Sequence, residues 1–96
     1  MSIRLLVTIT AVPGKGAELA RAYATRCAEA MKEPGCEQFE IFQGVTNPDR
    51  LTLLERWTDT AALDVHAKLN ATRPPLHPEL RAGSGEREDY EFNRTR

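Results

Sequence analysis

The sequence predicts an α+β domain of the ferredoxin-like type, a four-stranded antiparallel sheet with two helices in the order β-α-β-β-α-β. Three observations carry this. Apolar residues alternate with period two at 3–12, 36–43 and 51–57. Between the first two of these segments the apolar spacing changes to steps of three and four, the mark of a helix. A second helical segment with a capping aspartate follows the third. A chain of 96 residues fits one domain, taken as 1–96.

In the first strand Ile3, Leu5, Val7, Ile9 and Ala11 point one way and Arg4, Leu6, Thr8 and Thr10 the other, until Pro13-Gly14 breaks the pattern. From about Ala17 to Glu33, Leu19, Ala20, Tyr23, Cys27, Ala30 and Met31 form an apolar stripe, with Arg21, Arg26, Glu29 and Lys32 off it. Pro34-Gly35 stops this helix, because proline disfavours helical backbone before it and glycine permits the turn. Phe39 and Ile41 share one face of the second strand. The turn-forming run Thr46-Asn47-Pro48-Asp49 joins it to the third as a hairpin. In that third strand Leu51, Leu53, Glu55 and Trp57 face one side and Thr52, Leu54 and Arg56 the other. Asp59 caps a second helix, Thr60 to about Asn70, whose apolar side is read as Ala62, Val65, His66 and Leu69. Residues 71–85 hold Pro74, Pro75, Pro78, Gly83 and Gly85 and read as a long loop, with one helical turn near His77 to Leu80. Arg87 to Arg94, with Tyr90 and Phe92 among charges, is the weakest strand and suits a sheet edge or a subunit surface.

Composition excludes several classes. With 41% hydrophobic and 28% charged residues the chain is globular rather than disordered. A net charge of -1 and no basic run argue against nucleic acid as a partner. No apolar stretch approaches the roughly 20 residues that span a bilayer, so no membrane partner is expected. Met1-Ser2-Ile3-Arg4 leads straight into a strand without the features of a signal peptide, and a cytoplasmic location is expected. Cys27 and Cys36 make no CxxC pair and no metal-ligand spacing with His66 or His77, so two reduced thiols and no metal are expected.

Four side chains are candidates for chemistry. His66 looks from the second helix toward the sheet face that carries Glu55 and Trp57. An imidazole titrates near neutrality and can take a proton from a phenolic or enolic substrate. Its structural alternative is a core histidine held by a buried partner. Glu55, a carboxylate on an apolar face, needs a partner or a raised pKa. It either orients His66 and binds a substrate hydroxyl, or pairs structurally with a helix cation or a backbone amide. Trp57 either stacks on a planar substrate or fills the gap between strand and helix. Tyr23 either points its hydroxyl into the same cavity or is a core residue with a hydrogen-bonded tip. His77 is expected to face solvent, in a loop able to act as a lid.

The ordered set Pro34-Gly35-Cys36, Gln38-Phe39-Glu40-Ile41-Phe42-Gln43, Asn47-Pro48, Glu55-Arg56-Trp57 and His66 resembles the central signature of the antibiotic biosynthesis monooxygenase family. The opening strand and the Gly14–Gly16 entry to the first helix agree with it, so the resemblance covers roughly residues 3–70. It implies a homodimer, a dimeric α/β barrel whose two sheets pack face to face, with Arg4 and Arg56 on the dimer side making salt bridges. It also implies a cofactor-independent monooxygenase acting on a hydroquinone or polyketide-like phenol and dioxygen. His66 and Glu55 would then be catalytic, and Trp57 and Tyr23 substrate-binding. No nucleotide fingerprint, phosphate loop or nucleophile elbow is present, so any oxygenation is expected to rely on the substrate's own electrons. A non-catalytic dimeric ligand-binding or accessory protein of the same fold is the alternative. Haem-degrading relatives carry an asparagine on the first strand, and residues 3–12 contain none, so haem is not expected.

Overall fold

The computed structural model describes residues 2–83 and 85–92. Its order is β1 (Ser2–Thr10), α1 (Gly16–Ala30), β2 (Cys36–Gln43), β3 (Arg50–Trp57), α2 (Thr60–Ala71) and β4 (Glu86–Phe92), with a single 3-10 turn at Pro78–Leu80. The four strands form one antiparallel sheet in the order β2-β3-β1-β4, the expected ferredoxin-like arrangement. The two most apolar strands therefore take the centre, and charged β4 takes an edge. The expected fourth strand reached Arg94; Asn93 and Arg94 lie outside the described residues.

Register decides which side chains meet. Leu5 is paired with Glu55, Val7 with Leu53 and Ile9 with Leu51, so these residues share the face that the helices cover. Leu5, Ile9, Leu19, Leu51 and Trp57 are fully buried there. Each contributes about 1.5–3 kcal/mol by leaving water. The other face carries the cross-strand pairs Arg4–Arg56 and Leu6–Leu54. Arg56 donates to Glu37 at 2.9 Å within the chain.

Several element ends differ from the sequence reading for local reasons. β1 stops at Thr10 because Ala11 N–H donates to Asp49 O and Val12 N–H to Leu80 O, leaving the ladder. α1 starts at Gly16, where the Asp49 carboxylate accepts from the amides of Gly14 (2.9 Å) and Gly16 (3.0 Å). A residue of the hairpin turn thus satisfies amides left open by Lys15, which makes no side-chain cap. α1 ends at Ala30 rather than Glu33. Lys32 and Glu33 donate to Glu29 and Ala30 in tight turns, and Gly35 follows with φ +82°. Asp59 caps α2 as expected, its carboxylate accepting from Ala62 N–H at 2.8 Å. The buried side of α2 is Leu63 and His66; Val65 and Leu69 are exposed. The expected stripe was correct at His66 and at half-buried Ala62, and it missed Leu63.

Candidate active site

His66 sits on the buried side of α2, and the chain closes around it from three directions. Glu33, in the turn after α1, brings Oε1 within 2.8 Å of His66 Nδ1. Its other oxygen accepts from Arg73 Nη1 at 3.0 Å, just beyond the end of α2. An ion-paired carboxylate only accepts, so His66 Nδ1 carries the hydrogen and donates it. In the neutral ring that places the lone pair on Nε2. On its side lies Glu55 from β3, with Oε1 at 3.9 Å, beyond hydrogen-bond length.

Trp57 completes the arrangement from below. Its indole N–H donates to Glu55 Oε1 at 3.0 Å, and its ring lies 4.6 Å from the His66 ring at an interplanar angle of 36°. Phe39 of β2 approaches His66 at 5.4 Å and meets Trp57 edge to face at 6.4 Å. The imidazole is thereby held by one directional bond and two aromatic neighbours. Burial pushes the Glu55 carboxyl up from its ordinary range, and the Trp57 hydrogen bond partly opposes this. Burial also raises Tyr23, against the pull of Arg81 and Arg26.

A hollow of about 320 Å³ opens beside this group. Tyr23, Phe39, Glu55 and His66 line it, and the Pro74–Leu76 segment forms one wall. Arg26 ties that wall down, donating to Asn70 Oδ1 (3.2 Å) and Pro74 O (3.1 Å). A second hollow of about 420 Å³ shares Tyr23, Glu55, His66 and Arg81 and runs under α2 toward β1 and Arg87. Both volumes suit a small planar molecule.

Of the four residues singled out by sequence, His66, Glu55 and Tyr23 border the hollow. Trp57 is fully buried behind His66 and borders neither hollow. Its position is that of a support for His66 and Glu55, not of a stacking surface. His77 is exposed, left-handed at φ 38°, and paired with Glu79 at 2.9 Å away from this site. Glu33, Arg73, Phe39 and Arg81 were not among the sequence candidates. Glu33 read only as the last residue of a longer helix, and in the structure it lies in the turn after α1, against His66. Cys36 is pushed up to about 11 and Cys27 is raised, both chiefly by burial, so neither is a ready thiolate nucleophile. Among the described residues no group of three or more His, Cys, Asp or Glu is placed to hold a metal ion, and no helix is long and apolar enough to cross a membrane.

The profile of the antibiotic biosynthesis monooxygenase family matches residues 2–73. No curated protein matches the chain. Among solved structures, a conserved protein from Methanosarcina mazei is 26% identical, covering 97% of this chain and 94% of that one with a TM-score of 0.81. A Pseudomonas aeruginosa protein is 26% identical over 97% and 95%, with a TM-score of 0.79. A Nitrosomonas europaea protein, named as a candidate antibiotic biosynthesis monooxygenase, is 18% identical over 95% and 89% with a TM-score of 0.82. At that identity the last likeness shows the fold alone.

Proposed function

The chain belongs to the antibiotic biosynthesis monooxygenase family, and from that premise we propose that it is a cofactor-independent monooxygenase of a hydroquinone or polyketide-like phenol. One observation carries the reading. Glu33 holds the Nδ1 hydrogen of His66, which leaves Nε2 as a base at the edge of a hollow large enough for one aromatic ring.

In this reading His66 Nε2 takes the phenolic proton. The phenolate passes one electron to dioxygen, and the resulting superoxide and substrate radical join through a new carbon–oxygen bond. His66 returns its proton to the peroxide, and loss of water with the ring hydrogen leaves a carbonyl. A phenol plus dioxygen becomes a quinone plus water, with no external reductant. Burial raises the Glu55 carboxyl beside the base, which disfavours its charged form. Tyr23 and Phe39 border the substrate, and Trp57 positions His66 and Glu55 from behind.

The protein acts as a homodimer in this proposal. Half-buried Leu6 and Leu54, with exposed Phe42 and Tyr90, lie on the sheet face away from the helices and are available for a second copy.

Oxygen uptake with an electron-rich hydroquinone tests the function. The wild type is expected to exceed the uncatalysed rate, and His66→Ala to return it to background. Absence of uptake by the wild type, or unchanged uptake by His66→Ala, refutes catalysis; binding without uptake favours the non-catalytic alternative.

A further inference from the structure

The charges lining the two hollows do not cancel. Arg73 is matched by Glu33 at 3.0 Å, and Arg87 by both oxygens of Asp89 at 2.7 and 2.9 Å. Arg26 donates only to neutral oxygens, those of Asn70 and Pro74. Arg81 has no hydrogen-bond or ion-pair partner for its guanidinium among the described residues, yet it is half-buried and lines both hollows beside Tyr23. Glu55, the carboxylate facing this space, is biased by burial toward its neutral form.

Arg81 is also rigidly placed. It follows the 3-10 turn, with its amide on Pro78 O, and bridges to Ala11 of the strand exit. Val12 N–H donates to Leu80 O and Ala82 N–H to Thr10 O, both at 2.8 Å, so the backbone is stitched to β1 on either side of it. Gly85 leaves room for the guanidinium: a Cβ there would stand 3.2 Å from Arg81 Nη2 and 3.0 Å from Thr8 O. A half-buried guanidinium without a carboxylate, held at the wall of a ligand-sized hollow, is a receptor for a planar anion.

We propose that the ligand of this cavity is an aromatic acid, and that Arg81 binds its carboxylate while the phenolic hydroxyl faces His66. This rests on the ligand cavity of the proposed function and narrows its substrate to phenols bearing a carboxylate. Tyr23, Phe39 and Arg81 line the same hollow, so an aromatic ring and the carboxylate it bears can be held together.

The test is calorimetric binding without oxygen, so that turnover plays no part. The probes are 2,5-dihydroxybenzoate and uncharged hydroquinone, at a pH where the latter keeps both protons. The wild type is expected to prefer the acid by at least about tenfold. Arg81→Gln should abolish that preference and Arg81→Lys keep part of it. If Arg81→Gln does not fold, the wild-type preference and its decline with added salt decide alone. Equal wild-type affinities, no binding of the acid at millimolar concentration, or an unchanged preference in Arg81→Gln overturns the assignment. Oxygen uptake from neutral hydroquinone with no acid preference would refute this inference and leave the monooxygenase reading standing. An acid preference without uptake would do the reverse.

Discussion

Replacing Glu33 by Gln separates a buried ion pair from an exposed one of similar length. Glu33 uses both oxygens, Oε1 toward His66 at 2.8 Å and Oε2 toward Arg73 at 3.0 Å. Its side chain is 8% exposed, as is that of His66, and Arg73 is 15% exposed. Removing one partner of a buried pair costs about 3–5 kcal/mol. Arg73 retains Glu29 at 3.9 Å and a path to solvent, which lowers the expected loss to about 2–3 kcal/mol. The control is Asp89→Asn. Asp89 accepts from Arg87 at 2.7 Å, but the two side chains are 49% and 52% exposed, so the loss should stay below about 1 kcal/mol. The distances are similar, so burial and the second bond, to His66, set the difference. Urea unfolding measures both, read as a change of midpoint at constant slope. Losses equal within about 0.5 kcal/mol would refute the buried-pair account. Proton–nitrogen NMR of His66 supplies a second readout. The wild type should hold the hydrogen on Nδ1, and Glu33→Gln should populate both tautomers.

Three further outcomes follow from the same geometry. Burial raises the Glu55 carboxyl, so its favourable contribution is complete below the ordinary carboxylate pKa and is lost as pH rises through the raised value. Glu55→Gln should therefore raise Tm more at neutral pH than near pH ~4; a larger gain in acid than at neutrality would contradict the sign. Gly35→Ala should lose more than about 2 kcal/mol in urea unfolding, because Gly35 sits at φ +82° and a Cβ would lie 2.5 Å from Ala62 Cβ. Asp59→Ala removes the carboxylate that accepts from Ala62 N–H at 2.8 Å and should cost about 1 kcal/mol, with the far-UV spectrum retained.

The legible parts of the molecule are those set by local chemistry. Period-two alternation in 3–12, 36–43 and 51–57 located three strands, since a pleated sheet with one covered face demands that spacing. Asp59 marked the start of α2, and Pro34-Gly35 the turn between α1 and β2, because capping and turn geometry act within a few residues. The same alternation put Glu55 and Trp57 on the core face, and helical spacing brought His66 toward it. Where α2 was misread, at Val65 and Leu69, the segment is apolar on more than one side, and only contact with the sheet selects Leu63.

Tertiary structure decided how the site is wired. Glu33 lies 33 residues from His66 and 40 from Arg73, and nothing periodic links them. They meet because α1 ends one turn early and α2 packs alongside. Trp57 was recognisable as a core-facing aromatic, but its place behind His66 depends on the crossing of α2 over β3. Arg81 stands at the cavity because two backbone hydrogen bonds stitch a proline-rich loop to β1. The sequence by itself determined the ferredoxin-like fold and the sheet face where Glu55, Trp57 and His66 are buried, through short-range backbone preferences and burial. Only packing chose which charges on that face are paired, because ion pairing depends on distances that close when distant segments come together.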